Sequence, residues 1–251
     1  MKIPFYQTTW NDISLVELAR ELRHPLAVLP DARFYALYYK KLLNLGEKWK
    51  TGKKYQTQWL KAQIEKYDDI QAKVLSIGAG TGIIEIPLIE AGYDIHLQEC
   101  QEESLKIFGA QDLTTCYNKD LKKIENTSFN IIIAIAMTYA LSDEELKSFF
   151  NSCSALLKKN GKLIVLDTSL SWQEIYAYFR NRSFYRKNQL LWGAKRSINF
   201  FKKIKAHSPN LSFLCQEYYD NCMKKLEVKT LMGVPYNLTP HWQMMVFKKN
   251  D

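Results

Sequence analysis

The sequence predicts an α/β protein with a mostly parallel sheet and helices on both faces, and three observations carry that prediction. From Lys73 onward, short apolar runs alternate with amphipathic ones, the pattern of βα units joined by right-handed crossovers. The first such run, Lys73-Val74-Leu75-Ser76-Ile77, is cut off by Gly78-Ala79-Gly80-Thr81-Gly82, and an apolar-periodic stretch from Ile83 to Glu90 follows at once. The run Phe129-Asn130-Ile131-Ile132-Ile133-Ala134-Ile135-Ala136 is apolar at successive positions, as suits a strand covered on both faces.

The residues before Lys73 read as helical and outside the sheet. Ile13 to Leu22 has helical apolar spacing, with Asp12 as N-cap and His24-Pro25 as the stop. A second helix opens at Asp31 after Pro30, carries Phe34, Tyr35, Leu37, Tyr38, Leu42 and Leu43, and ends at Gly46. A third runs around Tyr55 to Tyr67.

The core is then expected as strand 73–78, helix 82–91, strand 93–99, helix 101–108, strand 113–117 and strand 129–136. A helix from Ser142 to Lys158 follows, capped by Ser142 with Glu145 as capping-box partner. After the turn at Asn160-Gly161 comes a strand from Lys162 to Asp167. Between Thr168 and Pro209 the chain turns aromatic and basic over a length too great for a structureless loop, and it reads as two helices capping the carboxyl edge of the sheet. A helix from Asn210 or Leu211 to Lys225, a strand near Leu226 to Met232 and a strand His241 to Lys248 complete the chain. The expected division is a helical cap at 1–70, a sheet core at 71–168, a helical lid at 169–209 and a last helix with strands at 210–251.

Composition bounds the function more loosely. With 251 residues and 47% hydrophobic content the chain is long enough for one large core with an added cap. It has no run of 18 or more apolar residues, and Met1-Lys2-Ile3-Pro4-Phe5-Tyr6 lacks the apolar region of a signal peptide, so a soluble, cytoplasmic chain without membrane insertion is expected. Its five cysteines form no C-x-x-C pair and are expected as buried free thiols. The net charge of +9 favours an anionic partner: nucleic acid, a membrane surface or a phosphorylated small molecule.

The glycine stretch is the informative motif. Glycine has no Cβ and adopts positive φ, so a strand, tight turn and helix built on it bring backbone N–H groups close to a ligand. The spacing is G-x-G-x-G, one residue shorter than the dinucleotide fingerprint G-x-G-x-x-G. Glu99 closes the next apolar run about 20 residues on, where an acid accepts hydrogen bonds from ribose hydroxyls. Asp120 follows the third short strand.

Loop, Glu99 and Asp120 in this order resemble the cofactor site of the class I S-adenosylmethionine-dependent methyltransferases, and the resemblance covers the block from Lys73 to Asp167. It implies a Rossmann-like seven-stranded sheet with the last strand inserted antiparallel, and S-adenosylmethionine as cofactor. It places Gly78, Ala79, Gly80 and Gly82 at the amino acid part of the cofactor, Glu99 at the ribose and Asp120 at the adenine amino group. Cys100, Leu121 and Ala136 complete the implied cofactor-binding set. Asn130 stands where relatives often have Asp and is read as structurally neutral.

Methyl transfer from a sulfonium is an in-line displacement, so the protein has to align the reactants and manage at most one proton. It needs no metal, and the sequence has no H-E-x-x-H, EF-hand loop or clustered His/Cys ligands. In open α/β sheets the ligand lies outside the carboxyl ends of the strands. That singles out Met137-Thr138-Tyr139 and Asp167-Thr168-Ser169, with Tyr139 orienting substrate or packing, and Asp167 serving as base, cation partner or cap. Of the histidines, His96 reads as a satisfied sheet residue, whereas His241, beside Trp242 at the mouth of the last strand, is a candidate for the substrate pocket. Arg180 and Arg182, with Arg186 and Arg196, either select an anionic substrate or form a solvated face. One of Tyr6, Tyr35, Tyr38 or Tyr39 is the candidate to close over the cofactor, as N-terminal helices do in many small-molecule methyltransferases, or else these rings are packing; Tyr35 is also taken as a substrate contact.

The reading is a methyltransferase acting on oxygen or nitrogen of a small, polar, anionic metabolite. In its aromatic, basic cap the chain also looks like methyltransferases of bacterial capsule and surface-saccharide clusters, including those linked to O-methyl phosphoramidate decoration. The alternative is an RNA methyltransferase, suggested by the charge and the interleaved Tyr/Arg segment. Neither N-P-P-Y nor D-P-P-Y nor an appended RNA-binding module is present, which disfavours nucleic acid. A third reading keeps the fold as a binding protein without turnover. The sequence leaves the oligomeric state open.

Overall fold

A computed structural model of the chain describes residues 9–10, 13–22, 32–45, 48–118, 120–124, 128–138, 141, 143–169, 210–227, 229–231, 234–236 and 241–250. It opens with two short strands, β1 (Thr9–Trp10) and β2 (Ile13–Ser14), paired with each other outside the main sheet. Helix α1 (Leu15–Glu21) starts directly after β2, and its N-cap is Ser14, whose hydroxyl accepts the Glu17 N–H at 3.3 Å. Asp12 is not the cap, because the chain is still paired as a strand through Ile13 and Ser14. Helix α2 (Ala32–Asn44) and the long α3 (Lys48–Tyr67) follow, the latter starting earlier than expected. Lys48 to Lys54 carries no apolar stripe that would announce that first part of α3.

The core alternates as anticipated: β3 (Val74–Ile77), α4 (Ile86–Glu90), β4 (Ile95–Gln98), α5 (Glu102–Lys106), β5 (Cys116–Tyr117), β6 (Phe129–Ile135), α6 (Asp143–Leu156) and β7 (Leu157–Ser169). The chain returns with β8 (Leu211–Tyr219), β9 (Lys225–Leu226), β10 (Lys229–Leu231), β11 (Val234–Tyr236) and β12 (His241–Lys249). The main sheet has the order β5-β4-β3-β6-β7-β12-β8-β9, while β10 and β11 pair separately. Strands β5, β4, β3, β6 and β7 are parallel, and β12 enters antiparallel between β7 and β8.

Two expectations are corrected. The sheet has eight strands, not seven, and the segment expected as a helix from Asn210 or Leu211 to Lys225 is instead β8 followed by a turn into β9. Leu211, Leu214, Cys215 and Tyr218 do fit a helical period, but β12 offers β8 a ladder of backbone partners from Trp242 to Lys249, broken only by a bulge at Leu214. The turn is shaped by Asp220, whose carboxylate accepts the N–H groups of Cys222 and Lys224 at 2.8 and 2.9 Å. The turn at Asn160-Gly161 is present inside β7 as an irregularity. Asn160 takes φ +64°, and the register against β6 jumps from Phe129↔Leu157 to Ile131↔Lys162.

Successive residues of the central strands face opposite cores. Val74, Ile131, Ile133, Ile164 and Leu166 pack with Trp59, Leu60 and Ile64 of α3 and with Leu88 of α4. Leu75, Ile77, Ile132, Ala134, Leu163 and Val165 pack on the other face with Leu146, Phe149, Phe150 and Cys153 of α6. A third cluster joins Leu18 and Ala19 of α1 to Phe34, Tyr38 and Leu42 of α2, one helical face at spacing four.

Asn130 is a junction, not a neutral substitution. Its side chain accepts from the Lys73 N–H at 3.2 Å and the Lys158 ammonium at 2.8 Å, and donates to Asp68 at 2.9 Å. Of the cysteines, Cys153 is buried and Cys116 and Cys215 half-buried, but Cys100 and Cys222 are exposed, which corrects the expectation of buried thiols. Among the described residues no helix is long and apolar enough to cross a membrane.

Phe150 is fully buried and lies edge-on to both Phe149 and Phe247, joining α6 to β12. Phe150→Ala should cost about 3 to 5 kcal/mol in denaturant unfolding. Leu214→Ala, on an exposed β8 position, should stay within about 0.5 kcal/mol.

Candidate functional site

The sheet reverses its winding at β3, with β4 and β5 on one side and β6 and β7 on the other, and such a switch point opens a crevice outside the carboxyl ends of the strands. The glycine loop sits at that crevice. Gly78, Gly80 and Gly82 all lie in the left-handed region, at φ +66°, +60° and +71°. Side chains there would be strained, and a Cβ on Gly82 would stand 2.8 Å from Ala110 Cβ.

The loop is held from β4. The Gln98 carbonyl accepts the N–H groups of Gly78 and Ala79 at 2.8 and 3.1 Å. The Glu99 carboxylate accepts the Gly80 N–H at 2.9 Å through Oε2 and the Gln101 N–H at 2.9 Å through Oε1. Burial pushes the Glu99 carboxyl above its ordinary range, although the amides of Gln101, Gly80 and Cys100 pull it back in part.

Helix α2 covers this arrangement. Its Phe34-Tyr38-Leu42 face is taken up by packing, and the adjacent face at the same spacing of four presents Tyr35 and Tyr39, whose rings stack at 6.4 Å. Burial, then the nearby Glu99 charge, raise Tyr35 to about 12 and raise Tyr39 as well. The Tyr39 hydroxyl lies 2.9 Å from where a Cβ on Gly80 would be. Of the four tyrosines considered from sequence, Tyr39 therefore reaches the loop, Tyr35 stacks on it within the field of Glu99, Tyr38 belongs to the cap core, and Tyr6 lies outside the described residues.

The remaining candidates distribute as follows. Cys100 is exposed and accepts from the Gln98 amide at 3.4 Å; burial of its sulfur and the nearby Glu99 and Asp120 charges raise its thiol. Asp120 is exposed and caps the following turn by accepting the Lys122 N–H at 3.0 Å, with Leu121 half-buried behind it. Ala136, at the exit of β6, takes φ +54°, unusual for a residue with a Cβ, and its N–H bonds the Leu166 carbonyl at 2.7 Å. Asp167 is buried and accepts the hydroxyl of the fully buried Thr138. His241 pairs in register with Ser169, which puts it at the carboxyl edge of the sheet. Tyr139, Arg180, Arg182 and the rest of the expected lid lie outside the described residues. His96 is the satisfied sheet residue expected of it, with Asp94 at 2.9 Å and the Tyr117 hydroxyl at 3.3 Å.

One group escaped the sequence reading. The Ser76 hydroxyl on β3 donates to the buried Glu85 carboxylate at 2.7 Å, and Lys53 of α3 lies close enough to act on Glu85 electrostatically. The available signal was an acid inside the apolar run Ile83-Ile84-Glu85-Ile86-Pro87-Leu88. No group of three or more His, Cys, Asp or Glu side chains that could hold a metal occurs among the described residues.

No model of a known sequence family matches the chain, and no curated protein matches it by sequence. Solved structures do match. An S-adenosylmethionine-dependent methyltransferase from Clostridium acetobutylicum aligns over 85% of this chain and 99% of its own, at 14% identity and a TM-score of 0.55. Magnesium protoporphyrin IX methyltransferase from Synechocystis, with bound S-adenosylhomocysteine, aligns over 80% and 84% at 11% identity and 0.51. The N-methyltransferase NodS from Bradyrhizobium japonicum, in complex with S-adenosylhomocysteine, aligns over 78% and 86% at 10% identity and 0.50. The fold is that of the S-adenosylmethionine-dependent methyltransferases. Within the methyltransferase fold, the parallel order β5-β4-β3-β6-β7 and the antiparallel β12 stand as the resemblance implied, and β9 is an added edge strand.

The loop geometry makes a stability prediction. Gly82→Ala combines left-handed strain with a clash against Ala110, and should destabilise by about 2 to 4 kcal/mol. Gly92→Ala, at φ +92° with open space around it, should cost only the backbone strain of about 1 to 2 kcal/mol. Thermal denaturation of the two variants should rank them in that order.

Proposed function

We propose that the chain is an S-adenosylmethionine-dependent methyltransferase. The observation that carries the reading is the carboxylate of Glu99 bound to the Gly80 amide at the mouth of the switch-point crevice. Each Glu99 oxygen spends one lone pair on a backbone donor and keeps acceptor capacity for vicinal hydroxyls such as those of a ribose. Glycines without Cβ leave the opposite wall open to close approach. These residues fit the cofactor: Gly78, Ala79, Gly80 and Gly82 along its amino acid part, Glu99 and Cys100 at the ribose, and Asp120 and Leu121 toward the adenine. When bound, S-adenosylmethionine supplies an electrophilic methyl group on a sulfonium.

The chain's own residues then have to enclose and align. In this reading the helical cap of residues 1–70 covers the site through Tyr35 and Tyr39, and excluding water there strengthens every polar contact beneath it. Ala136 and Asp167, at the carboxyl ends of β6 and β7, would face the methyl group with His241 on β12 beside them, and Tyr139, outside the described residues, is the further candidate there. Asp167, bonded to Thr138, is the proposed acceptor of a substrate proton. A lid at 169–209 would bring Arg180 and Arg182 over the pocket and select an anionic metabolite with an oxygen or nitrogen acceptor. The finer reading, modification of a capsule or surface saccharide such as O-methyl phosphoramidate, rests on the sequence resemblance alone.

Glu99→Gln tests the cofactor reading directly. Calorimetric affinity for S-adenosylmethionine should fall by ~10- to 100-fold, since charge-assisted hydrogen bonds contribute about 1.5 to 3 kcal/mol each. The melting temperature without ligand should fall by no more than one lost backbone hydrogen bond accounts for, about 1 to 3 kcal/mol, since the amide oxygen replaces the carboxylate toward only one of the Gly80 and Gln101 N–H groups. Unfolding of the variant with unchanged affinity in the folded fraction would make Glu99 structural.

A further inference from the structure

The edge of the sheet opposite the glycine-loop crevice is strongly basic. Lys73 leads into β3, Lys158, Lys159 and Lys162 lie at the start of β7, and Lys248 and Lys249 end the antiparallel β12. All six lysines therefore gather at the amino ends of the parallel strands. Lys162 and Lys248 are direct cross-strand partners, and by the alternation of β7 and β12 both lie on the α3 face, with Ile164 and Val246. Like charges directly opposite each other destabilise an antiparallel pair. Burial and then Lys248 lower the Lys162 ammonium, and Asp68 raises it only in part.

Three of these ammonium groups are held by uncharged oxygens. Lys158 donates to Asn130 Oδ1 at 2.8 Å, Lys162 to the Asn160 carbonyl at 2.6 Å and Lys249 to the Leu157 carbonyl at 2.7 Å, contacts that position the charges without cancelling them. The acids of the adjoining turn are Asp68 and Asp69. Asp68 accepts from the Asn130 amide at 2.9 Å, and Asp69 accepts the Gln71 N–H at 2.8 Å. The same turn carries Ile70, which is 44% exposed. Lysines beside an exposed apolar side chain match an anionic lipid surface, where cations meet headgroup phosphates and an apolar group enters the interface. Fork-like capture of a single phosphate would favour arginine, and the described residues of this edge offer lysine alone. Single-stranded nucleic acid would call for exposed rings, whereas Phe129, the ring beneath the Lys73 ammonium, is fully buried.

We propose that the amino edge of the sheet, centred on Lys158, Lys162 and Lys248, docks on an anionic lipid surface, with Ile70 as its apolar contact. This goes beyond the proposed methyl transfer and does not rest on it. Docking at this edge turns the glycine-loop crevice away from the lipid and leaves it open to dissolved ligands. Headgroup phosphates offset the repulsion between Lys162 and Lys248 that the unbound chain carries. The attraction is between charges at the surface, so salt screens it.

The test is co-sedimentation of the full chain with phosphatidylcholine vesicles, with and without phosphatidylglycerol. Binding should require phosphatidylglycerol and be lost at high salt. Combining Lys162→Gln with Lys248→Gln should weaken it at least about tenfold, since each lysine near such a surface contributes about a factor of five. The melting temperature of that double variant should not fall, because two opposed like charges are removed. Ile70→Ser should weaken binding by a smaller factor, and Lys41→Gln, on α2 away from this edge, should leave it within about twofold. Should the double variant not fold, Lys158→Gln at an exposed position carries the test, with a loss of about fivefold. Equal binding to vesicles without phosphatidylglycerol, no binding to either kind at low salt, or unchanged binding by the double variant would overturn the proposal. So would a duplex RNA that binds the chain and loses affinity in the double variant while the vesicles do not bind.

Discussion

Three backbone N–H groups at the end of one strand govern the whole arrangement. A chain that leaves β3 through left-handed residues at 78, 80 and 82 takes its last ladder bond at Gly78, so the amides that follow must find acceptors off the ladder. Strand β4 provides them, with the Gln98 carbonyl for Gly78 and Ala79 and the Glu99 carboxylate for Gly80. That requirement fixes where β4 ends relative to β3 and puts an acid at the mouth of the crevice. Neighbouring elements then close in on the loop, Met137 against Gly78, Ala110 against Gly82 and Tyr39 against Gly80. Each approach depends on the missing Cβ.

The two faces of the sheet differ in what they bury. The α6 side holds an aromatic and aliphatic core around Phe149, Phe150 and Phe247, with Ser152 and Ser154 of α6 and Asp167 and Gln243 at the strand ends as its buried polar groups. The α3 side buries Gln56, Gln63, Ser76 and Glu85 among its apolar residues. Polar burial of that kind costs stability unless a partner offsets it. The far end of α3 is anchored differently, through Lys66 to Glu217 on β8, an exposed ion pair of small energetic weight that sets position more than stability.

The central strands were legible because Val74 to Ile77, Ile131 to Ala134 and Leu163 to Leu166 are covered on both faces, and such strands announce themselves by composition alone. Gly78, Gly80 and Gly82 were legible because only a turn of unusual backbone geometry needs three glycines at that spacing. Strand β8 was not, since Leu211 to Tyr219 supports a period of two or of 3.6, and only its long-range pairing with β12 decides. Ser14 displaced Asp12 as the helix cap for a similar reason, a pairing with β1 that no local signal records. At the site, Glu99 followed from its distance behind the loop, whereas Glu85 and Lys53 did not, because their meeting depends on how α3 lies across the loop flank.

The proposed role of the crevice at β3 is to receive a nucleoside through Glu99, with Tyr39 displaced from Gly80. A structure of the chain with S-adenosylhomocysteine measures this most directly. The ribose hydroxyls should lie on the Glu99 carboxylate, with the Tyr39 hydroxyl displaced from Gly80. A ligand bound elsewhere with Tyr39 still against Gly80, or no ligand at saturating concentration, would contradict it.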